Sequence, residues 1–508
     1  MSSIELGAVI VDALHAMGAH FVLAPGSRNA PLSLHVDQLA RDHGASLHVV
    51  IDERAAAFTA LGLAKSTGRL AVVMVTSGSA VANLAPAVLE AKHAGVPMLV
   101  VSADRPMEAV GSGASQTADQ IGIFGPSVLG VTRLSSKSGD VDSWRAAVER
   151  AAHLALGTRT REPGPVQINA EFTPPLVGKL AYKERRPTIV AASRPAAPTR
   201  IAGRRKTVIV AGDMTPDEGL RAQKLAETAG VPLLAEPSSN ARFGANAIAT
   251  YRGLLATPIA DEIERVIVFG HPTLSRPQTR LLSREDVELV VVSPRATWHD
   301  IGHRASIVAD DIELEPQEPA WMDRWRERDQ VREPDWGGRA VAAAVLASLS
   351  QHDALVLGAS NIIRDADLAP IHSERVPVYA SRGQAGIDGT IATARGIALG
   401  SGRPTTVVLG DITAQHDLGS LVRPPLEPRA KLRIVVADDD GGALFHKLEQ
   451  GAPEYAEAFE RVFATPQSAN LAGVAAALGW RVAVAHDEPA LRQALASDAE
   501  FIVAKYPR

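Results

Sequence analysis

Residues 49–58 read VVIDERAAAF, and this segment indicates the fold class. Its apolar start favours a β-strand, and the alanine-rich part that follows has helical spacing. Asp52 and Glu53 would then lie at the carboxyl end of a strand and the start of a helix, where open α/β sheets bind their ligands. The helix N-terminus would favour an ionised Glu53. Because acidic residues are common in first helical turns, the pair could also be a simple helix cap.

Composition restricts the class of protein. The 508 residues are 46% hydrophobic and 21% charged, and the net charge is −5. A chain of this length suggests about three domains. The small negative charge gives no broad attraction to nucleic acid or to anionic membranes. The chain has no cysteine, which excludes disulfides and thiolate metal sites and fits a reducing compartment.

Neither a secretory signal nor a membrane span is expected. Met1 to Glu5 lack the basic and long apolar regions of a signal peptide. No apolar run approaches the roughly 18 residues of a transmembrane helix. These features predict a cytoplasmic enzyme or assembly protein.

Apolar strands alternate with helical segments along most of the chain, and many strands end in small polar loops. This pattern predicts α/β domains with doubly wound parallel sheets. The predicted strands lie at 21–23, 47–51, 71–75, 97–101, 207–210, 232–235, 266–269, 289–292, 354–358, 405–409, 432–437, 481–484 and 501–504.

Two irregular stretches divide the chain into three predicted domains. Residues 163–206 are rich in proline, arginine and alanine, which is typical of a connection. Residues 310–337 are mixed in charge and hold three of the six tryptophans, which we expect to fix this connection to a domain surface. The predicted domains are 1–178, 207–310 and 338–508, with linkers at 179–206 and 311–337.

Two acidic turns in the third domain have the character of a metal site. One strand ends in Gly410-Asp411, and the next apolar strand ends in Asp438-Asp439-Asp440-Gly441-Gly442. Carboxylates on neighbouring strand ends suit Mg²⁺, which usually completes its octahedron with phosphate and water oxygens. The glycines would let the backbone approach a diphosphate closely. Two ordinary strand-end turns would give the same pattern.

The order of several motifs resembles a known family. The acidic turns, with Glu53 upstream, resemble the metal and diphosphate motif of thiamin-diphosphate (ThDP) enzymes. The closer resemblance is to the family of 2-succinyl-5-enolpyruvyl-6-hydroxy-3-cyclohexene-1-carboxylate (SEPHCHC) synthases of menaquinone biosynthesis. It rests on residues 24–28, 52–54, 76–78, 103–106, 113–116, 358–360 with 364, 381–383 and 386–389, which occur in family order over nearly the whole chain.

The resemblance implies three ThDP-enzyme domains: pyrimidine-binding (PYR), central and diphosphate-binding (PP). Glu53 would be the catalytic carboxylate that hydrogen-bonds the aminopyrimidine ring, and Ile387 would support the folded cofactor. The further residues expected around thiamin diphosphate are Gly410, Asp411, Gly441, Gly442, Leu444 and Phe445. The expected ligands of Mg²⁺, or of Mn²⁺, are Asp411, Asp439 and the Gly441 carbonyl.

The same resemblance implies a transferase that decarboxylates 2-oxoglutarate and adds the succinyl carbanion to isochorismate, with release of CO₂. Both substrates are dicarboxylic acids, which suit permanently charged, bidentate arginine side chains. Ser360 and Arg364 would hold 2-oxoglutarate, and the isochorismate side would have Ser27, Arg28, Gln116, Arg276 and Arg382. Arg105 is a further carboxylate-binding candidate. Arg276 lies in a looser match, and a surface position is equally compatible with its sequence.

Some features depart from the family or favour other classes. The family often has Asn where this chain has Asp438 to Asp440, so the preferred metal stays open. Residues 111–116 lack the third glycine of a dinucleotide fingerprint and follow no clear strand, which argues against NAD binding. The alternatives are another ThDP-dependent carboligase or decarboxylase, resembling acetohydroxyacid synthase, and a non-catalytic ThDP-binding protein. The resemblance also implies a homodimer, or a dimer of dimers.

Overall fold

The computed structural model describes residues 2–178 and 186–507. Two compact units are present. The first unit contains Met1–Ser193, Asp388–Gly402 and Asp417–Lys431, and the second contains Arg194–Ile387, Arg403–His416 and Leu432–Arg508. Residues 179–185, at the start of the first predicted linker, lie outside the described residues. No described helix is both long and apolar enough to cross a membrane.

The N-terminal segment forms a six-stranded parallel sheet in the first unit. Its elements are α1 (Ser3–Ala16), β1 (His20–Leu23), α2 (Ala30–His43), β2 (Ser46–Val49), α3 (Glu53–Thr67), β3 (Ala71–Val75), α4 (Ser79–Ala82), α5 (Ala85–Ala94), β4 (Met98–Asp104), β5 (Val131–Ser135), α6 (Val141–Ala155) and β6 (Pro165–Glu171). The strand order is β2-β1-β3-β4-β6-β5. β1, β3, β4 and β6 are buried along their whole length, as expected for strands covered on both faces.

A second parallel sheet, with five strands, lies in the second unit. The elements of this segment are β7 (Thr199–Ile201), β8 (Thr207–Ala211), α7 (Pro216–Ala229), β9 (Leu233–Ala235), α8 (Tyr251–Leu254), β10 (Arg265–Phe269), α9 (Arg276–Leu282), β11 (Glu288–Val292), β12 (Ala305–Ala309), β13 (Ile312–Leu314) and α10 (Pro319–Arg328). The strand order is β12-β11-β10-β8-β9, and β7 pairs separately with β13. Trp321 and Trp325 of α10 are buried in the core around this sheet, so part of the predicted second linker is a packed helix.

The C-terminal segment contributes a third parallel sheet, with six strands, to the second unit. Its elements are α11 (Gly338–Ala347), β14 (Ala354–Leu357), α12 (Asn361–Ala366), β15 (Val378–Ala380), α13 (Thr390–Ser401), β16 (Thr405–Gly410), α14 (Asp411–His416), β17 (Leu432–Asp438), α15 (Ala456–Phe459), α16 (Leu471–Ala477), β18 (Val482–Ala485), α17 (Glu488–Ala496) and β19 (Phe501–Lys505). The strand order, β15-β14-β16-β17-β19-β18, repeats the winding of the first sheet. The predicted α/β fold class is confirmed.

The winding fixes where ligands can bind. In the first sheet the chain reverses direction between β1 and β3, and in the third sheet it does so between β14 and β16. Ligands of open α/β sheets bind outside the carboxyl ends of the strands at such points. The segments that leave β1, β14 and β16 carry predicted site residues, among them Arg28, Ser360 and Asp411, and the segment after β3 carries the motif at residues 76–78.

The predicted end of β2 is wrong, and β4 continues to Asp104, three residues beyond its predicted end. The sequence predicts a strand through Ile51, but β2 ends at Val49 and Ile51 is 72% exposed. The chain leaves the sheet two residues early because Asp52 must reach the N-terminus of α3, where its side chain accepts the Ala55 N–H at 3.2 Å.

α13 belongs to the first unit, although the chain enters it from the second. It crosses α3 at very short range, and both helices have a glycine at the crossing. A Cβ on Gly62 would overlap the carbonyl oxygen of Thr393, and a Cβ on Gly396 would overlap that of Thr59. Only glycine therefore lets the two backbones approach this closely.

Candidate functional site

Glu53 is the first residue of α3, and it is not the residue that caps this helix. Asp52 has the N-cap conformation and makes the capping hydrogen bond to Ala55. The Glu53 carboxylate instead accepts a hydrogen bond of 3.3 Å from Nδ2 of Asn83. The sequence left open whether these acidic residues only cap the helix. Asp52 is the helix cap, whereas the Glu53 carboxylate is directed to the side chain of Asn83.

Two candidate arginines of the first unit lie close together. Arg28 follows β1 and donates from Nη1 to the carbonyl oxygen of Phe172 at 2.8 Å. Burial lowers the pKa of Arg28, and the charge of Arg105 lowers it further. Nε of Arg105 is buried without a hydrogen-bond partner among the described residues. No ion pair joins either guanidinium to a carboxylate of the described residues, although the charge of Asp104 partly offsets that of Arg28. Ser27, next to this pair, is exposed.

A buried polar network holds the neighbouring loops of the first unit. Gln120 accepts the Gly78 N–H at 2.8 Å and donates to Asn169 Oδ1 at 3.0 Å. Asn169 donates in turn to the buried carboxylate of Asp104 at 2.7 Å, directly before Arg105. The Gln116 carbonyl accepts from Ser77 Oγ at 2.8 Å, and Gln116 itself is exposed. The network therefore brings the loops that carry Gly78, Arg105 and Gln116 together.

In the second unit, Asp411 is the buried carboxylate at the end of β16. It accepts hydrogen bonds from the backbone N–H groups of Ile412 and Gly441. Burial raises the pKa of Asp411 to about 7, and the charges of Asp439 and Asp438 add to the effect. A divalent cation at this place would favour the ionised form, so the donor set fits a hard metal ion. Among the described residues, no three His, Asp or Glu side chains form a metal-binding group by themselves.

The turn after β17 has a conformation that requires glycine at positions 441 and 442. Gly441 has φ +136°, which is readily accessible only to glycine. Gly442 donates its N–H to the Ala464 carbonyl at 2.6 Å, and a Cβ there would lie 2.5 Å from the Phe463 carbonyl oxygen. Leu444 and Phe445 are half-buried, and the Phe445 ring lies 5.8 Å from that of Phe463. A Cβ on Gly410 would meet no atom within 4 Å, which leaves open space beside Asp411.

Ser360 and Arg364 lie together at the start of α12. Ser360 has φ +75°, an uncommon value for a residue with a side chain. Arg364 donates to the Ser360 carbonyl oxygen, so one element fixes both groups. Burial lowers the pKa of Arg364, and the nearby charges of Arg382 and Arg252 lower it further. Arg364 and Arg382 are thus a second pair of neighbouring arginines.

The remaining candidates of the second unit differ in environment. Arg382 is 4% exposed and donates from Nη2 to Thr273 Oγ1 at 2.5 Å. Arg276 is the first residue of α9 and is exposed, four residues before another exposed arginine, Arg280. Ile387 is half-buried just before α13. The structure brings Arg382 close to Arg364, and it gives Arg276 no described partner that would fix its side chain.

Sequence reasoning missed two buried carboxylates of the second unit. Glu236 follows β9 and is 1% exposed, and Asp367 follows α12 and is fully buried. Asp367 accepts from Tyr251 Oη at 2.9 Å and lies 3.3 Å from Nη1 of Arg252. The available signal was the position of Glu236 directly after an apolar strand, the same signal that indicated Asp411.

These features define the class. Doubly wound sheets with a carboxylate at the start of α3, and a second acidic turn at β16 and β17, are the arrangement of a thiamine-pyrophosphate enzyme. A family model described as "Thiamine pyrophosphate enzyme, N-terminal TPP binding domain" matches residues 4–123.

Curated relatives define the family more narrowly. A protein from Kineococcus radiotolerans is 44% identical, over 97% of this chain and 93% of its own. Relatives from Nocardioides sp. and Paenarthrobacter aurescens are 43% and 44% identical, over 93% and 94% of this chain and 89% of each relative. All three are named 2-succinyl-5-enolpyruvyl-6-hydroxy-3-cyclohexene-1-carboxylate synthase. The chain belongs to this synthase family, and the predicted family and enzyme class are confirmed.

Proposed function

We propose that the chain catalyses the synthase reaction for which its relatives are named, as a step of menaquinone biosynthesis. The proposed substrates are 2-oxoglutarate and isochorismate, and the proposed cofactors are thiamin diphosphate and Mg²⁺ or Mn²⁺. The observation that supports these substrates is the presence of two arginine pairs, Arg28 with Arg105 and Arg364 with Arg382.

The arginine pairs favour dicarboxylic substrates. Two like charges close together in a partly buried site repel each other, and a bound carboxylate would relieve this repulsion. Each guanidinium can form two parallel hydrogen bonds to a carboxylate. A site for a monocarboxylate such as pyruvate would need fewer cations, so the pairs argue against an acetohydroxyacid-synthase-like activity. We assign Arg364 and Ser360 to 2-oxoglutarate. The residues assigned to isochorismate are Ser27, Arg28, Gln116, Arg276 and Arg382, and Arg105 is a further carboxylate-binding residue beside Arg28.

The residues of the chain would hold the cofactor and control one proton. When bound, thiamin diphosphate supplies the electron sink for decarboxylation and the carbon nucleophile for bond formation. Glu53 would hold a proton shared with N1′ of the aminopyrimidine, and so set which ring nitrogen is basic. Asp411, Asp439 and the Gly441 carbonyl would bind the metal, and the backbone at Gly410 and Gly442 would face the diphosphate. Ile387, Leu444 and Phe445 would exclude water from the rings.

Three further features are part of the proposal. The active form is a homodimer, or a dimer of dimers, in which Glu53 of one subunit and the diphosphate site of its partner serve one cofactor. The proposed PYR, central and PP domains cover residues 1–178, 207–310 and 338–508, and α10 of the second linker packs on the core of the central sheet. The enzyme acts in the cytoplasm, in keeping with a chain that has no cysteine.

The Glu53→Gln variant tests the proposed function. The amide keeps the size of the side chain but cannot hold the proton, so we expect kcat to fall at least about 100-fold while thiamin diphosphate still binds. Turnover is measured as isochorismate-dependent CO₂ release from 2-oxoglutarate, and cofactor binding by calorimetry.

Glu108→Gln is the matched control because Glu108 is an exposed residue that pairs with Lys137. The control should keep wild-type turnover. Undiminished turnover in Glu53→Gln would contradict the assignment. Turnover of pyruvate by the wild type would instead support the alternative carboligase, and no turnover with bound cofactor would support a non-catalytic role.

A further inference from the structure

Glu236 holds the loop that follows β10 by two hydrogen bonds to one oxygen. Oε1 of Glu236 accepts the backbone N–H of Thr273 at 2.9 Å and that of Leu274 at 2.7 Å. The side chain is 1% exposed, so water does not compete for these bonds. Two N–H donors on one buried oxygen fix the backbone at Thr273 and therefore the position of its side chain.

The Thr273 side chain contacts Arg382, a candidate substrate-binding residue. Its Oγ1 accepts from Nη2 of Arg382 at 2.5 Å. Arg382 is 4% exposed, and its Nε has no hydrogen-bond partner among the described residues. Thr273 is thus the side chain that fixes the direction of the guanidinium group.

The electrostatic surroundings agree with this geometry. Burial raises the pKa of Glu236 to about 8, and the charge of Asp367 contributes in the same direction. The Leu274 N–H and the Arg382 charge lower it, so Glu236 and Arg382 lie close enough to interact. Ionising Glu236 here would cost free energy that no described ion pair offsets, which is why its pKa is raised. The contacts of Glu236 that have a structural effect are its hydrogen bonds to the backbone N–H groups of Thr273 and Leu274.

We propose that Glu236 and Thr273 are positioning residues for Arg382, and that they orient its guanidinium group toward the carboxylate of the cyclic substrate. This inference rests on the proposed function, which gives Arg382 that carboxylate. An arginine side chain has several rotatable bonds, and bidentate binding needs one orientation of its planar group. Fixing that orientation before the substrate arrives lowers the entropy lost on binding.

Variants of Thr273 test the step nearest to Arg382. Thr273→Val keeps the shape of the side chain and removes the acceptor oxygen, whereas Thr273→Ser keeps the hydroxyl group. We expect Thr273→Val to raise KM for isochorismate about tenfold, the effect of losing one hydrogen bond to a charged group. Its kcat and its KM for 2-oxoglutarate should stay within about twofold of wild type, and Thr273→Ser should restore KM for isochorismate.

Thr279→Val is the matched control. Thr279 is also half-buried, lies six residues further along and directs its hydroxyl group to the Ser275 carbonyl at 3.2 Å. This variant should leave both KM values unchanged. An unchanged KM for isochorismate in Thr273→Val, or an equal loss in Thr279→Val, would overturn the proposal. A parallel loss of kcat for both substrates in Thr273→Val would show a merely structural role.

A double-mutant cycle tests whether Glu236 acts through Thr273. If it does, Glu236→Ala and the double variant with Thr273→Val should have the same KM for isochorismate, because the second change removes a contact already lost. If the double variant instead raises KM by the product of the two single effects, Glu236 does not act through Thr273. Glu236→Gln, which retains an acceptor oxygen for both N–H groups, should keep KM for isochorismate near wild type. If Glu236→Ala does not fold, Glu236→Met, which fills similar space without a hydrogen-bonding oxygen, takes its place in the cycle.

Crystal structures of the Thr273 variants give a readout that does not depend on activity. Arg382 should leave its position in Thr273→Val and keep it in Thr273→Ser. An Arg382 side chain that keeps its wild-type conformer in Thr273→Val would overturn the positioning role. If the wild type lacks isochorismate-dependent turnover, the proposed function fails, while the Arg382 conformers still decide whether Thr273 orients this side chain.

Discussion

Three consecutive aspartates, Asp438 to Asp440, have different surroundings. Oδ2 of Asp438 lies 3.9 Å from Lys505 Nζ, and Oδ1 of Asp440 accepts the Ser468 N–H at 3.2 Å. Asp439 is 8% exposed, and its charge raises the pKa of Asp411. Three carboxylates beside a diphosphate would repel it unless a metal ion or nearby cations offset their charge. Because Asp439 is buried and its charge acts on Asp411, we propose it as the aspartate of this turn that binds the metal with Asp411.

Replacement of these aspartates should separate their roles. We expect Asp439→Asn to weaken Mg²⁺ binding at least about tenfold, because it removes the charge of a direct ligand. Asp440→Asn is the matched control and should change Mg²⁺ binding less than about threefold, since its carboxylate serves the Ser468 backbone. Cofactor binding titrated with Mg²⁺ measures both. Equal effects in the two variants would contradict the assignment of Asp439.

At the scale of elements, α3 and α13 depend on each other. α3 starts with Glu53, so the position of α3 sets the position of the candidate catalytic carboxylate. α13 is held at its N-terminus by Asp417, whose buried carboxylate accepts the N–H groups of Ile391 and Ala392 at 2.8 and 3.1 Å. Because an anion stabilises a helix N-terminus, Asp417 fixes α13 at the end nearest Gly389. Because α3 and α13 pack closely at Gly62 and Gly396, the position of α13 also fixes the position of α3.

Adding one methyl group at the crossing should test this dependence. We expect Gly62→Ala to lower the free energy of unfolding by about 1–3 kcal/mol, because its Cβ would overlap the Thr393 carbonyl oxygen and force the helices apart. Gly253→Ala in α8 is the control, since a Cβ there meets no atom within 4 Å, and alanine is the better helix former. Chemical denaturation measures both variants. A Gly62→Ala protein as stable as the control would rule out tight packing at this crossing.

The sequence predicts helices and strands better than it predicts which of them pack against each other. Most strands and the acidic ends of β16 and β17 follow from local patterns of apolar residues and turn residues. β6 (Pro165–Glu171) was missed, because residues 163–206 were interpreted as a connection from their overall composition. The packing of α13 on α3 does not, because a buried alanine-rich helix has no local signal for what covers it. Glu236 resembles a solvated turn residue in sequence, and its burial depends on the distant backbone at Thr273. Residues whose role comes from long-range contacts were therefore missed.

At the scale of the whole molecule, the repeated winding has a consequence for function. The first and third sheets share one strand order, and candidate residues follow strands at its reversal points: Arg28 after β1, Ser360 after β14 and Asp411 after β16. The proposed function requires Glu53 and Asp411 at one cofactor molecule. In the proposed homodimer these two residues come from different subunits.

Mixing two inactive variants tests whether the site is shared between subunits. Glu53→Gln and Asp411→Asn should each be inactive alone. If every site takes Glu53 from one subunit and Asp411 from its partner, a mixed dimer has one site with both changes and one intact site. After random exchange of subunits half of the dimers are mixed, so about a quarter of wild-type activity should return.

A mixture of Glu53→Gln with Glu53→Gln carrying a distinct affinity tag is the control for subunit exchange, and it should stay inactive. Activity is measured after dissociation and reassociation, and the tags report the fraction of mixed dimers. If mixed dimers form and remain inactive, both groups belong to one subunit, because a mixed dimer would then contain one copy of each defect and no intact site. The recovered activity therefore distinguishes a shared site from two independent ones.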